Sequence, residues 1–465
     1  MRATHRGIIA AALWLGTAQV ASAQNTPPSV LTVDAAVARV LAANRSIADA
    51  VDQSTRASSA VRVARSEFLP QLQPAVSWDN TTGSGGFSAG VNVTQKTPFG
   101  TSILAAPRLT RTTGGTEPSI DITLSQSLTR GLSTSYNLAT LKRAQADMRD
   151  AQRNVSLVQR QVVMQAITGV YDAVRWEETV RLEQASYDRL KQYEEAAVLK
   201  QRIGLASGID VYRAGISAKQ AETALLASRE GLQDALDSLS VLLNVPLGSV
   251  TRADGRFDEA PYRVSESDAV AAALSRRPEM QILREAREIA VLDASVARRR
   301  LLPELDVQAR YTAGGSAAAA PAPAGAGTAP RFTVGVATSG NVFNYAERAA
   351  FENSQLSLQA VERAVSLQID QLTLEVRYAL RNQRRAEAAI GLREDEVRQV
   401  RGKLELAKVK FTHGMANNFD VIESESELRQ AEVGLHGARI EYAVATWALK
   451  AVMGILLDDN GRLAR

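Results

Sequence analysis

The chain has 465 residues, 54 basic and 50 acidic side chains, a formal charge of +4 and no cysteine. A balance this even argues neither for nor against nucleic acid, while the missing thiols exclude disulfides, thiolate metal sites and a lipidated N-terminal cysteine. Three histidines leave little from which to build a histidine-rich metal site, so stability must come from packing and assembly.

Residues 1–23 have the features of an export signal. Arg2 and Arg6 supply the positive region, Ile8 to Gly16 a short apolar run, and Ala21-Ser22-Ala23 a cleavage site. The run falls short of the roughly 20 apolar residues of a spanning helix, and no other stretch of the chain reaches that length.

The rest is written twice. Ala36-Val37-Ala38 returns as Ala269-Val270-Ala271, and Leu69-Pro70 as Leu302-Pro303, at one offset of 233 residues (269 less 36). Further on, Gly204, Ala206, Asp210 and Val211 return as Gly414, Ala416, Asp420 and Val421 at an offset of 210 (414 less 204). The first copy therefore carries 23 extra residues (233 less 210) between its Leu-Pro and its long helix. A unit of roughly 200 residues is too long for a solenoid repeat and describes two homologous halves of one body.

Proline is absent between Pro118 and Pro246 and after Pro330, and both stretches are rich in Ala, Leu, Gln, Glu, Arg and Lys, which are strong helix formers. Apolar or small residues recur at steps of three and four, as in Val211, Ala214, Ala218, Ala221, Leu225 and Val421, Ser424, Leu428, Ala431, Leu435. This is coiled-coil spacing. It predicts long helices over about 137–203 and 345–413, each roughly 100 Å long at 1.5 Å per residue. Each ends at a glycine, Gly204 or Gly414, the residue favoured just past a helix C-terminus, and a shorter helix leads back from Asp210 or Asp420.

Between the helices the period changes. Ile120 to Ser125 alternates apolar and polar residues, and Phe87 to Thr94, Leu305 to Tyr311 and Phe332 to Val336 do so less cleanly, which predicts half-buried strands. The Ala/Pro/Gly-rich segment from Ala313 to Pro330 reads as an exposed loop. Strands of 9–11 residues with one apolar face suit a membrane β-barrel wall. One chain has too few to close it, so in the barrel reading several chains share one barrel; the alternative is a small soluble sheet capping a coiled coil. The expected organisation is a signal at 1–23 and a first repeat at 24–255, with strands about 70–128, a helical hairpin about 133–245 and a tip at 204–210. A second repeat follows at 256–456, with strands about 303–340, a hairpin about 343–453 and a tip at 414–420, and then a tail at 457–465.

In this order the segments resemble the TolC-type outer-membrane efflux proteins. Asn44-Arg45-Ser46-Ile47 and Arg277-Pro278-Glu279-Met280 resemble the family's Asn-Pro-Glu-Leu motif. Leu69-Pro70-Gln71-Leu72 and Leu302-Pro303-Glu304-Leu305 resemble its approach to the strands, and Gly204 to Val211 and Gly414 to Val421 its helical tip. The resemblance implies a mainly α fold with membrane β: a homotrimer whose twelve-strand barrel continues as a long α-helical periplasmic barrel. It further implies a passive export duct gated at the helical tip, without enzyme activity or cofactor. Its partners would be a periplasmic adaptor, an inner-membrane transporter and outer-membrane lipid, and not nucleic acid. The segment 86–110 departs from the minimal pattern, because two strands fit around Thr97-Pro98-Phe99-Gly100.

Asp420 and Glu423 are the sharpest gate candidates. Read with Asp420 as N-cap and Glu423 at N3, they form a capping-box arrangement, and threefold symmetry would turn each into a carboxylate ring around a pore. Asp210 is the first-copy counterpart of Asp420, and Arg213 stands where Glu423 would be. Arg213 or Arg202 is a candidate partner for an acid of the neighbouring tip. Phe411 replaces a tyrosine that relatives carry. The competing reading is an exported coiled-coil structural or adaptor protein without a pore.

Overall fold

The computed structural model describes residues 30–458 and 462–463, apart from 82–83, 113–114, 205, 256–261, 315–329, 340–342, 414 and 416–417. The signal segment, Gly414, Ala416 and most of the 313–330 loop lie outside the described residues. Among the described residues, no helix is long and apolar enough to cross a membrane.

The first repeat opens with β1 (Leu31–Thr32), α1 (Val33–Ala43) and α2 (Arg45–Ser66). Asn44 breaks these two helices apart. Its backbone is extended, its Oδ1 accepts from the Ser46 amide at 2.9 Å, and its Nδ2 donates to the Leu242 carbonyl at 2.9 Å. Four strands follow: β2 (Gln71–Thr81), β3 (Ser84–Lys96), β4 (Thr101–Thr112) and β5 (Gly115–Ser127). A 3₁₀ turn and the short α3 (Thr134–Asn137) lead into α4 (Ala139–Arg202) and the returning α5 (Gly208–Leu242). Gly204 takes φ +77° just past the end of α4, as a glycine there can at little cost.

After β6 (Ala253–Asp254), which pairs with β1 in parallel, the second repeat has α6 (Glu266–Arg276) and α7 (Pro278–Arg300). Pro278 occupies the first turn of α7, where its missing N–H costs nothing. Then come β7 (Glu304–Gly314), β8 (Arg331–Ser339), α8 (Tyr345–Thr412) and α9 (Asn418–Val452).

The strands form one antiparallel sheet in the order β2-β3-β4-β5-β7-β8. Nearest it, α2 packs on α4, α4 on α7, and α7 on α8, so helices continue the left-to-right order of the strands to which they connect. Farther away, α4 packs on α5 and α9, and α9 on α8. The three-four seam is the buried one: Ala214, Ala218, Leu225, Val421, Ser424, Leu428 and Leu449 are all buried. Val163, Ile167 and Tyr171 of α4 meet Ile440 and Leu456 of the second repeat in a shared core.

Candidate functional site: the membrane wall and the helical tip

The sheet has two chemically distinct faces. Along β2 and β3 the opposed pairs Leu72–Val93, Pro74–Val91, Val76–Ala89 and Trp78–Phe87 lie on one face. The same face continues through Ile103–Leu124 and Ala105–Ile122, then Ala309 and Tyr311, and ends at Phe332, Val334 and Val336. The opposite face carries Gln73, Asn92, Thr94, Arg108, Asp121, Thr123, Gln308, Arg310 and Thr333, with Leu104 its one large apolar residue. Side chains alternate across a strand, so the register alone fixes this division. Trp78, Val76, Phe332 and Val336 are each about 70% exposed in the single chain (78, 69, 67 and 68%). An apolar surface this extensive requires a cover. Trp78, Phe87, Tyr311 and Phe332 lie near the loop end of the sheet. Phe99 and the stacked pair Phe343–Tyr345 are exposed at the helix end. An apolar band between two aromatic belts is the surface that a lipid bilayer covers.

At the other end of the molecule, the tips of the two repeats meet. Ser207 caps α5 in a capping box: its Oγ accepts from the Asp210 amide at 3.3 Å, and the Ser207 amide donates to Asp210 Oδ2 at 3.1 Å. The Ser207 hydroxyl also donates to Asp210 Oδ2 at 2.7 Å, and this bond, then that of the Ser207 amide, with help from the Arg213 charge, hold the Asp210 carboxyl below its usual range. In the second repeat the helix begins at Asn418. Asp420 therefore lies within the first turn rather than at the N-cap, and Glu423 lies beyond it. The sequence Asn417-Asn418-Phe419-Asp420 offers three capping side chains, so the starting residue was not readable from composition. Asp420 and Glu423 remain three residues apart on one exposed face. Lys403 of α8 lies opposite: it pairs with Glu427 at 2.7 Å and has its pKa raised first by that bond and further by Glu423 and Asp420.

Arg213 lies over the Phe419 ring at 5.5 Å, and Lys200 over the Phe411 ring at 3.8 Å. Each contact joins the first repeat's tip to the second's through a cation and a ring. Within the chain Phe411 thus has a partner without a hydroxyl. Arg202 is exposed, Val211 partly buried and Val421 buried.

Sequence reasoning missed the ion pairs above the tip. Glu425 is 1% exposed; its Oε2 accepts from Arg189 Nε of α4 at 2.7 Å, and its Oε1 lies 3.4 Å from Lys408 Nζ of α8. One turn along α9, Arg429 Nη1 donates to the buried Glu183 Oε1 at 2.6 Å. The two pairs with α4 span more than 230 positions of chain (Glu425 and Arg189 are 236 apart, Arg429 and Glu183 246). The one sequence signal was a carboxylate beside the buried Ser424, one step off the apolar seam. Among the described residues, no group of acidic and histidine side chains is arranged to hold a metal ion.

A lipid-facing sheet fused to a helical body roughly 100 Å long defines a class: outer-membrane channels with a periplasmic extension. Comparison with known proteins gives the same result. Residues 269–455 match the family described as outer membrane efflux protein. The pyoverdine export outer membrane protein OpmQ of Pseudomonas aeruginosa is 23% identical over 367 residues, covering 76% of this chain and 75% of the relative. Among solved structures, the outer-membrane channel OprN superposes with a TM-score of 0.71 at 15% identity, covering 92% of this chain and 90% of OprN. VceC of Vibrio cholerae superposes with a TM-score of 0.70 at 14% identity, covering 91% of this chain and 96% of VceC. The second half of the chain thus matches the outer membrane efflux protein family, and the whole chain has the fold of solved outer-membrane channels.

Proposed function

We propose that this protein is the passive export duct of a tripartite efflux or type I secretion system, gated at its helical tip. Three copies share one barrel, and an adaptor and an inner-membrane transporter dock at the periplasmic end. The observation that carries this reading is the two-faced sheet continuous with paired long helices. A water-filled lumen lined by Gln73, Asn92, Arg310 and Thr333 needs the apolar face outside, and the helices extend the lumen away from the membrane. A coiled-coil protein without a pore has no use for that apolar face.

In this reading the exposed carboxylates of Asp420 and Glu423 repeat around the threefold axis and set the sign of the ions admitted. Asp210 and Arg213, beside the neighbouring tip, contribute to closure. The test is conductance in planar bilayers. The double variant D420N/E423Q keeps the shape of both side chains and one acceptor oxygen on each while removing their charge. It is expected to lower cation selectivity and weaken block by multivalent cations, most visibly at low salt. Normal assembly with unchanged selectivity would refute the carboxylate ring.

A further inference from the structure

The resemblance implied twelve strands for three chains, four from each. The described residues of this chain contribute six, all in one hydrogen-bonded sheet. We propose that copies join through an antiparallel seam between β8 of one and β2 of the next, closing a barrel of eighteen strands (three times six). The proposal rests on the shared-barrel reading above and adds which edges meet and how wide the wall becomes.

The additional hairpin, β3 and β4, is built as wall rather than as an appendage. Its strands have 13 and 12 residues and are paired on both sides along their length. It carries the same outward apolar row, through Phe87, Val91, Ile103 and Leu109. Its turn is fastened to the base of the sheet: Asn137 Nδ2 donates to the carbonyls of Pro98 (2.9 Å) and Gly131 (2.6 Å), and Gln126 Nε2 donates to that of Phe99 (3.1 Å).

The sheet also has the slant of a closed barrel. Following opposed residues from Gln71, the first of β2, leads through Thr94, Leu104, Thr123 and Arg310 to Thr333. Thr333 lies six residues from the helix-side end of β8 at Ser339 (339 less 333). At about 3.3 Å per residue, over five spacings of about 4.8 Å, this stagger gives a strand tilt of about 40°. Membrane barrels tilt by 35–45°.

The two edges fit each other. In a six-strand antiparallel sheet, β2 and β8 run in opposite directions, so β8 beside the next copy's β2 continues the alternation. The apolar residues at even positions of β2 (Leu72, Val76, Trp78) then meet those at even positions of β8 (Phe332, Val334, Val336). Among the described residues neither edge has a partner within the chain, and an unpaired edge in lipid is costly. Barrel diameter grows roughly in proportion to strand number, and barrels of 16–18 strands enclose an aqueous channel. The outer mouth would be about one and a half times as wide as a twelve-strand wall, which leaves the helical end as the constriction.

Since the chain has no cysteine, the seam can be tested by disulfide formation in the full protein in outer-membrane vesicles. The variants V76C/V334C and V76C/F332C sample the two registers that keep both apolar rows outside. Within one chain these positions are separated by five strand spacings, about 24 Å measured across the strands, too far for a disulfide. One variant is expected to run at three times the monomer mass under non-reducing conditions and to collapse to monomer with reductant. Electron cryomicroscopy of the trimer is expected to show eighteen strands. A trimer with twelve strands, a covalent dimer, or an intact trimer in which neither pair links would overturn the seam and leave the duct standing. A folded monomer would overturn the duct reading as well.

Discussion

Glu425 is the most deeply buried charge among the described residues, held between Arg189 and Lys408. Removing it leaves two cations facing each other across α4 and α8. Those cations are about one third exposed (36 and 37%), so water softens the loss. A double-mutant cycle over E425Q and R189A should give a coupling of about 1–2 kcal/mol, read by hydrogen exchange at the first turns of α9. Coupling near zero would show that this pair does not hold the two repeats together. Glu285 of α7 is the counterpart nearer the membrane, bonded by Arg149 and Arg153 of α4. Burial alone would raise its pKa, but the two arginines outweigh burial and hold it below the usual carboxylate value. Its stabilisation is therefore complete above that ordinary value and is lost as pH falls through the lower folded one. Melting of the protein below about pH 4 should be blunted in E285Q relative to the parent, and unchanged pH dependence would contradict the assignment.

At the scale of elements, the turn at Thr97–Gly100 is the most tightly built. Gly100 has φ +80°, and a Cβ there would lie 2.0 Å from the Gly131 carbonyl oxygen. G100A should therefore strain the junction between the β3–β4 hairpin and the start of the helices. The left-handed backbone alone costs about 1–2 kcal/mol, and assembled trimer recovered from membranes should fall several-fold. Recovery equal to the parent would show that the hairpin is not fastened there. The long helices were legible in the sequence because small and apolar residues keep a three-four rhythm over many turns. The strands were legible in part. Ile120 to Ser125 alternates without a fault, whereas in β4 the run Ile103-Leu104-Ala105-Ala106-Pro107 hides the period behind a lumen-side leucine and two alanines. The contacts of the tip were not legible, since Lys200–Phe411 and Arg189–Glu425 join residues more than 200 positions apart.

For the whole molecule, both flanks are unfinished in the same sense. Leu356, Leu367 and Tyr378 of α8, the helix that follows β8, are exposed, and so are Val51 and Val63 of α2, the helix that precedes β2. A neighbour that meets one edge of the sheet also covers the adjoining helix. The detergent-solubilised protein should accordingly have the mass of a trimer and resist dissociation by SDS. The two repeats match closely in their helices, yet among the described residues the first has four strands in the wall and the second two. This inequality obeys a rule of parity. Inserting a single strand would deliver α4 to the opposite side of the membrane from α8, whereas inserting two returns the chain to the side it left. The circumference of the wall can thus change by whole hairpins while the helical body below keeps its length and its joints.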